Sequence, residues 1–579
     1  MARSGIWSSD DHQIGLPAIA FIHNDRISAP DTAELLLSKN EVISSKLTLV
    51  DRGSVFLPSD ERGEITISPD LPYPLSLGEM EYPEGEEKTG AVVVQKGDDS
   101  ILQGSSRKEI QIYVMGNAIE HIRHPKEFVD EVVRLRQAIG YGSMIYLPGI
   151  ADPSNLAILC YCGGDIFDST RIIWESRSGH VLSPEGRWPP SDSEAGSFTK
   201  ILDKNYAALQ DELDKTVHHI RNGSLREFVE KRAVHDPWMI AALRHFDLVH
   251  YDHQELHFSV TGPNFHANTK ESLHRPDVIR FRKRVRERYR KPESAKILLL
   301  LPCSAKKPYS MSRSHSLFRK ALKDSGVQHL VHEVMITSPL GIVPRELEIF
   351  FPAQNYDIPV TGHWSKDEIS IVHEDLQDFL EKNKYDYIVA HLGSEKDFVC
   401  EVLDDLVSTS EGAPTSPKDL SRLTKELSGL EDQRHKVSKG QRQAEDMMSR
   451  CVYQFGNGGE VLMESAEIKG RYPNLKIFSN GIQMGMLVQE RGMISLTLDG
   501  AERISQKDLY CVQIDDFRPE GNLFAVGVEG ADEELRIGDD AIIRYEKDVR
   551  AVGSAVMNWK EMTESARGEA VRIRHRKKA

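Results

Sequence analysis

The sequence predicts a multidomain α/β protein, and three observations carry that prediction. An apolar run at residues 297–301 breaks at Pro302 into a polar loop, and an amphipathic helix follows it. Strand-like and helix-like segments then alternate with short loops to about residue 408, the pattern of a small parallel sheet. From about residue 503 onward only short strands separated by turn residues are readable.

Length and composition set the frame. With 579 residues, four domains are a reasonable prior. Hydrophobic residues are 39% and charged residues 28%, an ordinary globular balance. No apolar run approaches the roughly 20 residues of a membrane span, and the first residues lack the apolar core of a signal peptide. Six scattered cysteines do not make a disulfide framework, so a reducing, cytoplasmic location is expected. A net charge of −16 argues against indiscriminate nucleic-acid binding, yet two basic segments stand out. They are residues 275–291 (RPDVIRFRKRVRERYRK) and 567–578 (RGEAVRIRHRKK). The first reads as a helix with Val278, Phe281 and Val285 inward, its cations forming either a solvated face or a phosphate-contacting ridge.

Taken in order, residues 1 to about 110 are mixed, with strand-like runs at 47–50 and 91–94 and an acidic patch at 79–87. A strand (110–115), an amphipathic helix (125–139) and another strand (143–147) come next. Residues 206–221 and 225–246 read as helices. In the central segment, strands are expected at 297–301, 330–336 and 385–390, with Ser365 and Glu368 forming a capping box before a helix. Residues 338–348 read as a loop, and 408–417, rich in Ser, Thr, Gly and Pro, as the best linker. Two helices follow at 418–430 and 441–455. Strands then take over, with turns at Asn480-Gly481 and Arg491-Gly492, and ISLTLDGAERI is read among them.

The loop after residue 301 holds Cys303, Lys306, Lys307, Tyr309, Ser312 and His315, with a helix starting near residue 313. A strand feeding such a loop at a helix N-terminus is where open α/β sheets keep their chemistry. The loops after the other strands bring Ser338, Arg345 and His391 toward the same crevice. Lys306, Lys307, His315 and the helix start are expected to depress the Cys303 thiol pKa and favour its nucleophilic thiolate. Plainer readings stay open: Cys303 as a buried strand-end thiol, Lys306 and Lys307 as phosphate contacts, and His391 as a satisfied crevice histidine.

Residues 149–170, GIADPSNLAILCYCGGDIFDST, resemble the late barrel repeats of tRNA-guanine transglycosylases. Asp168 matches the position those enzymes use as nucleophile, with a leftover structural aspartate as the alternative. The family's zinc cluster has no counterpart: residues 188–199 (WPPSDSEAGSFT) contain no cysteine. Cys160 and Cys162 have no later partners at ligand spacing, so no metal is expected.

The blocks GRYPNLKIF and LTLDGAERI resemble the domain that joins barrel and PUA domain in archaeal transglycosylases. The run GDDAII, VGSAVM and RGEAVRIRH resembles a PUA domain, a small RNA-gripping β-barrel. Arg572, Arg574, Arg576 and Lys577 are then phosphate-contact candidates; a protein-binding PUA-like barrel is the alternative. Together with Pro302, Cys303, Lys307, Pro308, Tyr309, Ser312 and His315, the whole resembles the archaeosine synthase family. The resemblance implies a degenerate transglycosylase-like (β/α) barrel at 1–291 and a catalytic parallel α/β domain at 292–408. It implies a small α+β linker domain at 418–502 and a C-terminal PUA β-barrel at 503–579.

It also implies action on preQ0, a cyano-deazaguanine at position 15 in the D-arm of archaeal tRNA. An amine, with free lysine first and glutamine or ammonia as alternatives, adds to the nitrile to give an amidine. A radical-SAM lyase partner then releases archaeosine from the lysine adduct. In this reading Cys303 adds to the nitrile, His315 or Tyr309 moves the proton, and Arg345 holds the lysine carboxylate. No cofactor is required, no membrane is involved, and a homo-oligomer is expected. A direct amidinotransferase, a non-catalytic tRNA-binding subunit and an active transglycosylase are the competing readings.

Overall fold

The computed structural model describes residues 2–9, 12–38, 46–51, 65–67, 91–94, 110–116, 118–403, 405–430 and 437–577. The acidic stretch 79–87 lies outside them. The chain forms two compact units: residues 1–254 with 564–566, and residues 255–563 with 567–579. The first unit therefore ends well before the boundary expected at 291.

The first unit is built on eight parallel strands: β1 (Ala18–His23), β2 (Leu35–Ser38), β3 (Leu47–Asp51), β4 (Ile65–Ile67), β5 (Ala91–Val94), β6 (Ile112–Met115), β7 (Met144–Tyr146) and β8 (Ile166–Asp168). Their order is β4-β3-β2-β1-β8-β7-β6-β5. Strand β8 returns beside β1, pairing Asp168 with Ala20. This is the cyclic order of a (β/α) barrel, with β4 and β5 as the edges of the curl. Helix α1 (Pro125–Ile139) crosses from β6 to β7 with Phe128, Val129, Val132 and Val133 buried, as its 3.6-residue period requires. Three helices follow, α2 (Phe198–Arg221), α3 (Leu225–Ala233) and α4 (Pro237–Val249). The helix expected to run unbroken over 225–246 is split, because Asp236 caps Trp238 N and Pro237 starts a new helix.

In the second unit, α5 (Pro276–Glu287) precedes β9 (Ile297–Pro302) and α6 (Arg313–Ser325). Then come β10 (Val331–Thr337), β11 (Gly341–Pro344), α7 (Lys366–Lys382), β12 (Tyr387–Ala390), β13 (Val407–Ser408) and α8 (Pro417–Gly429). The sheet order is β11-β10-β9-β12-β13. Neighbours are parallel except β11, which returns antiparallel against β10. Residues 338–348, read as a loop, thus contain an edge strand; Gly341, at φ 66°, permits the reversal.

Strand β9 is buried on both faces. Ile297, Leu299 and Leu301 pack with Phe318, Leu322, Leu423 and Leu427, while Leu298 and Leu300 belong to the opposite core with Val372, Leu376 and Phe379. Each such side chain contributes about 2 kcal/mol by leaving water. Ser312 caps α6, Gly326 ends it at φ 81°, and Ser365 and Glu368 form the expected capping box on α7.

One boundary and one charged segment differ from expectation. Residues 408–417 are not a free linker: Thr409 and Ser410 are buried, and Ser410 Oγ donates to Asp419 at 3.1 Å. Helix α8 packs on α6 and the central sheet through Leu423 and Leu427, so it closes this domain instead of opening the next. The basic segment of α5 is neither a solvated face nor a bare ridge. Arg280 bonds Glu255, Arg282 bonds Asp375, Arg286 bonds Asp378, Arg288 bonds Glu534 and Arg290 pairs with Glu460.

After α9 (Lys439–Phe455), four antiparallel strands form a sheet: β14 (Ala466–Arg471), β15 (Asn474–Ser479), β16 (Ile482–Val488) and β17 (Met493–Leu496). Asn480 and Gly481 take positive φ at the β15–β16 turn, as the Asn-Gly pair predicts. The LDGAERIS segment, expected as strand, is helix α10 (Leu498–Ser505), capped by Thr497 accepting from Gly500 N. A six-stranded sheet ends the chain, with β18 (Asp540–Tyr545), β19 (Asp548–Ala555) and β20 (Glu569–Arg576) as its long strands.

Candidate active site

The strand order reverses at β9, since the chain leaves it to one side for β10 and later returns on the other for β12. Ligands of open α/β sheets bind at the carboxyl end of such a switch point. Cys303 is the residue that follows β9 there. The register pairs Pro302 with Ile336, which sets Cys303 beside Thr337 at the end of β10.

Thr337 is the first neighbour of Cys303 from β10. Thr337 Oγ1 also bonds the Tyr356 hydroxyl, and Tyr356 bonds the Tyr309 hydroxyl at 2.7 Å. Lys307 places its ammonium 4.0 Å from the centre of the Tyr356 ring. Burial pushes the Cys303 thiol up, against the opposing pull of Thr337 and Lys307. The expected depressed thiol pKa is therefore not what the site gives: removal from water outweighs the nearby charge. Burial also lowers the Lys307 ammonium and raises both tyrosines, so Tyr309 and Tyr356 stay protonated hydrogen-bond donors at neutral pH.

The remaining loop residues divide sharply. Ser312 is a helix cap, accepting from His315 N at 3.2 Å. His315 is fully buried; its Nε2 donates to the Pro302 carbonyl at 3.1 Å and its Nδ1 accepts from Arg345 at 2.7 Å. Burial and the Arg345 charge bring its pKa down to about 2, so it is a neutral brace and not a proton shuttle. Arg345 is spent on Glu333 (2.6 Å) and Glu348 (2.9 Å), which removes it as the partner of a substrate carboxylate. Lys306 is exposed beside the loop. Ser338 is buried after Thr337, and its carbonyl accepts from the Thr337 hydroxyl.

His391 bonds Thr409 Oγ1 at 2.9 Å and donates to the Pro414 carbonyl at 2.7 Å, the satisfied crevice histidine of its plainer reading. Glu348 was not singled out in the sequence, yet it accepts from Ser310 N at 2.8 Å and from the Tyr472 hydroxyl at 2.7 Å and so fixes the loop. Thr337 and Tyr356 were also missed; only the strand register brings them to Cys303.

In the first unit, Asp168 ends β8 and is 1% exposed. One carboxylate oxygen accepts from Tyr146 at 2.7 Å and Gly149 N at 2.8 Å, the other from Thr170 N at 2.7 Å. These bonds occupy it structurally. Cys160 and Cys162 lie in the buried helix Leu156–Cys162, and burial raises both thiols, Cys162 to about 12.

The C-terminal cations are more committed than their sequence suggests. Arg574 bonds Asp540 at 2.6 Å, and that fully buried carboxylate also takes Arg491 and Leu496 N. Lys577 pairs with Glu502 and Asp548, Arg576 donates to the Glu520 carbonyl, and Arg572 meets Glu569 at the surface.

The sequence profile of the PUA domain matches residues 516–577, and that of a domain of unknown function (DUF5591) matches residues 278–427, the region of the Cys303 site. The tRNA-guanine(15) transglycosylase of Methanobrevibacter smithii is 23% identical, across 82% of this chain and 75% of that protein. A transglycosylase-like curled sheet, a central α/β domain with the Cys303 loop and a terminal PUA domain define a tRNA-modifying transferase. The archaeosine synthase of Haloferax volcanii is 34% identical across 91% of this chain and 94% of its own length. The archaeosine synthase subunit alpha of Methanosarcina acetivorans is 33% identical across 86% and 83%. The chain belongs to the archaeosine synthase family.

Proposed function

We propose that this protein adds an amine to the nitrile of preQ0 at position 15 of tRNA, with the side-chain amine of free lysine as donor. The observation that carries the reading is the Cys303 enclave, a buried thiol beside Thr337 with Lys307 and two linked tyrosines around it. The Cys303 thiolate adds to the nitrile carbon, and the nitrogen takes a proton to give a thioimidate. The lysine amine then attacks the same carbon, the carbon–sulfur bond breaks, and an amidine remains. The net reaction adds N–H across the carbon–nitrogen triple bond, so it needs no redox partner. Tyr309 and Tyr356, both protonated, suit delivery of the proton to nitrogen. Several relatives are named as alpha subunits, which favours a second subunit, here a radical-SAM lyase that completes archaeosine.

The test incubates the protein with preQ0-containing tRNA and lysine, glutamine or ammonium, then digests to nucleosides for mass spectrometry. A mass gain equal to lysine, lost in Cys303→Ala, is expected. Archaeosine formed directly, with no partner present, overturns the lysine route. No gain with any donor turns the protein into a tRNA-binding subunit.

A further inference from the structure

Beside the reactive loop lies an open groove of about 750 Å³ whose walls include Lys306, Ser310, Arg313, Ser316, Arg319 and Tyr472. None of its lining residues is acidic. The chain's net charge is −16, and Arg280, Arg282 and Arg286 of α5 and Arg574 and Lys577 of the PUA tail are tied to carboxylates. Among the described residues, Lys306 and Arg313 are in no ion pair, and Arg319 donates only to the Ser310 carbonyl. The groove is lined by residues of the same loop that carries Cys303. Lys306 is three residues from Cys303, and Glu348 holds both Ser310 N and the Tyr472 hydroxyl.

We propose that this groove carries the phosphodiester backbone of the RNA substrate past the Cys303 loop, with Lys306, Arg313 and Arg319 meeting phosphates. The inference rests on the tRNA reading above and adds to it the surface that positions the reacting base. It shifts phosphate contact from tail cations held by intramolecular partners to groove cations that are in no ion pair among the described residues. Cationic contacts of this kind act through counterion release, so they show themselves in the salt dependence of binding.

The experiment measures the Kd for preQ0-containing tRNA against sodium chloride concentration for the full chain, Arg313→Gln, the double variant Lys306→Gln/Arg313→Gln, and Arg572→Gln. These side chains are exposed, and thermal unfolding confirms that each variant is folded. The double variant is expected to bind about tenfold or more weakly at physiological salt and to lose about 2 from the slope of log K against log salt. Arg572→Gln is expected to change the slope by less than Arg313→Gln does. Groove variants with wild-type affinity and slope, in a protein that binds tRNA, overturn the inference and leave the tRNA reading standing. A raised KM for free lysine with unchanged RNA affinity overturns it in favour of a carboxylate site. Wild-type protein that binds no tRNA overturns both.

Discussion

Lys307 holds its ammonium 4.0 Å from the centre of the Tyr356 ring, and Tyr356 is hydrogen-bonded to Thr337, the β10 neighbour of Cys303. Burial raises the thiol and the lysine charge opposes that rise. With the Cys303 thiolate as the proposed nucleophile, adduct formation is expected to climb with pH through neutrality, about tenfold per unit below the thiol pKa. Lys307→Met removes the opposing charge, moves this limb to higher pH and lowers the rate at pH 7 by about tenfold or more. A pH–rate profile of both proteins checks this; a flat profile from pH 6 to 9 removes thiolate formation from the rate.

His315 makes a stability prediction. Its folded pKa is about 2, against an unfolded value of about 6.5. Below pH 6.5 the unfolded chain binds a proton that the folded chain refuses. The stabilisation is complete above that pH and declines as pH falls from about 6.5 toward about 2. Between pH 7.5 and 5.5 wild type is expected to lose about 1 kcal/mol more than His315→Asn. Urea unfolding at the two pH values measures the difference.

Asp168 separates the transglycosylase reading from the thiol reading. Asp168→Ala strips three hydrogen bonds from the end of β8 and is expected to destabilise the first unit by about 2–4 kcal/mol. Adduct formation per folded molecule is expected to stay unchanged. A well-folded Asp168→Asn protein with no activity would return this carboxylate to the reaction.

The tail arginines are expected to part company. Arg574→Ala deprives buried Asp540 of one of its two guanidinium partners and costs about 1–3 kcal/mol. Arg572→Ala removes a pair whose arginine is 66% exposed and changes stability by less than about 1 kcal/mol. Thermal unfolding of both variants tests the split.

The central sheet was legible because each signal was local. The apolar run of β9, the 3.6-residue stripe of α6, Gly326 after it and the Ser365 capping box all lie within a few residues of what they control. The antiparallel β11 and helix α10 were not legible. The first follows from pairing with a strand edge, and the second from a Thr497 cap inside an apolar alternation that also suits a strand. At the site, the motif marked the loop that follows β9 but not the contacts its residues make within it. Ser312, His315 and Arg345 carry chemically active groups, and contacts with residues 302, 315, 333 and 348 turn them into scaffolding. Tyr356 joins Cys303 through Thr337, a relation that spacing in the chain does not encode.

Helix α5 has a consequence for how the molecule is made. Its arginines, with Arg288 and Arg290 just after it, are answered by carboxylates from the central sheet domain at 375 and 378, from residue 460 and from residue 534. In the order of synthesis, Arg288 leaves the ribosome 246 residues before Glu534 exists to meet it. The second unit is thus a structure whose early helix waits for its late counter-ions. A chain cut short before the PUA sheet keeps the helix and loses part of what neutralises it, so removing the terminal module also unsettles the domain that holds the thiol.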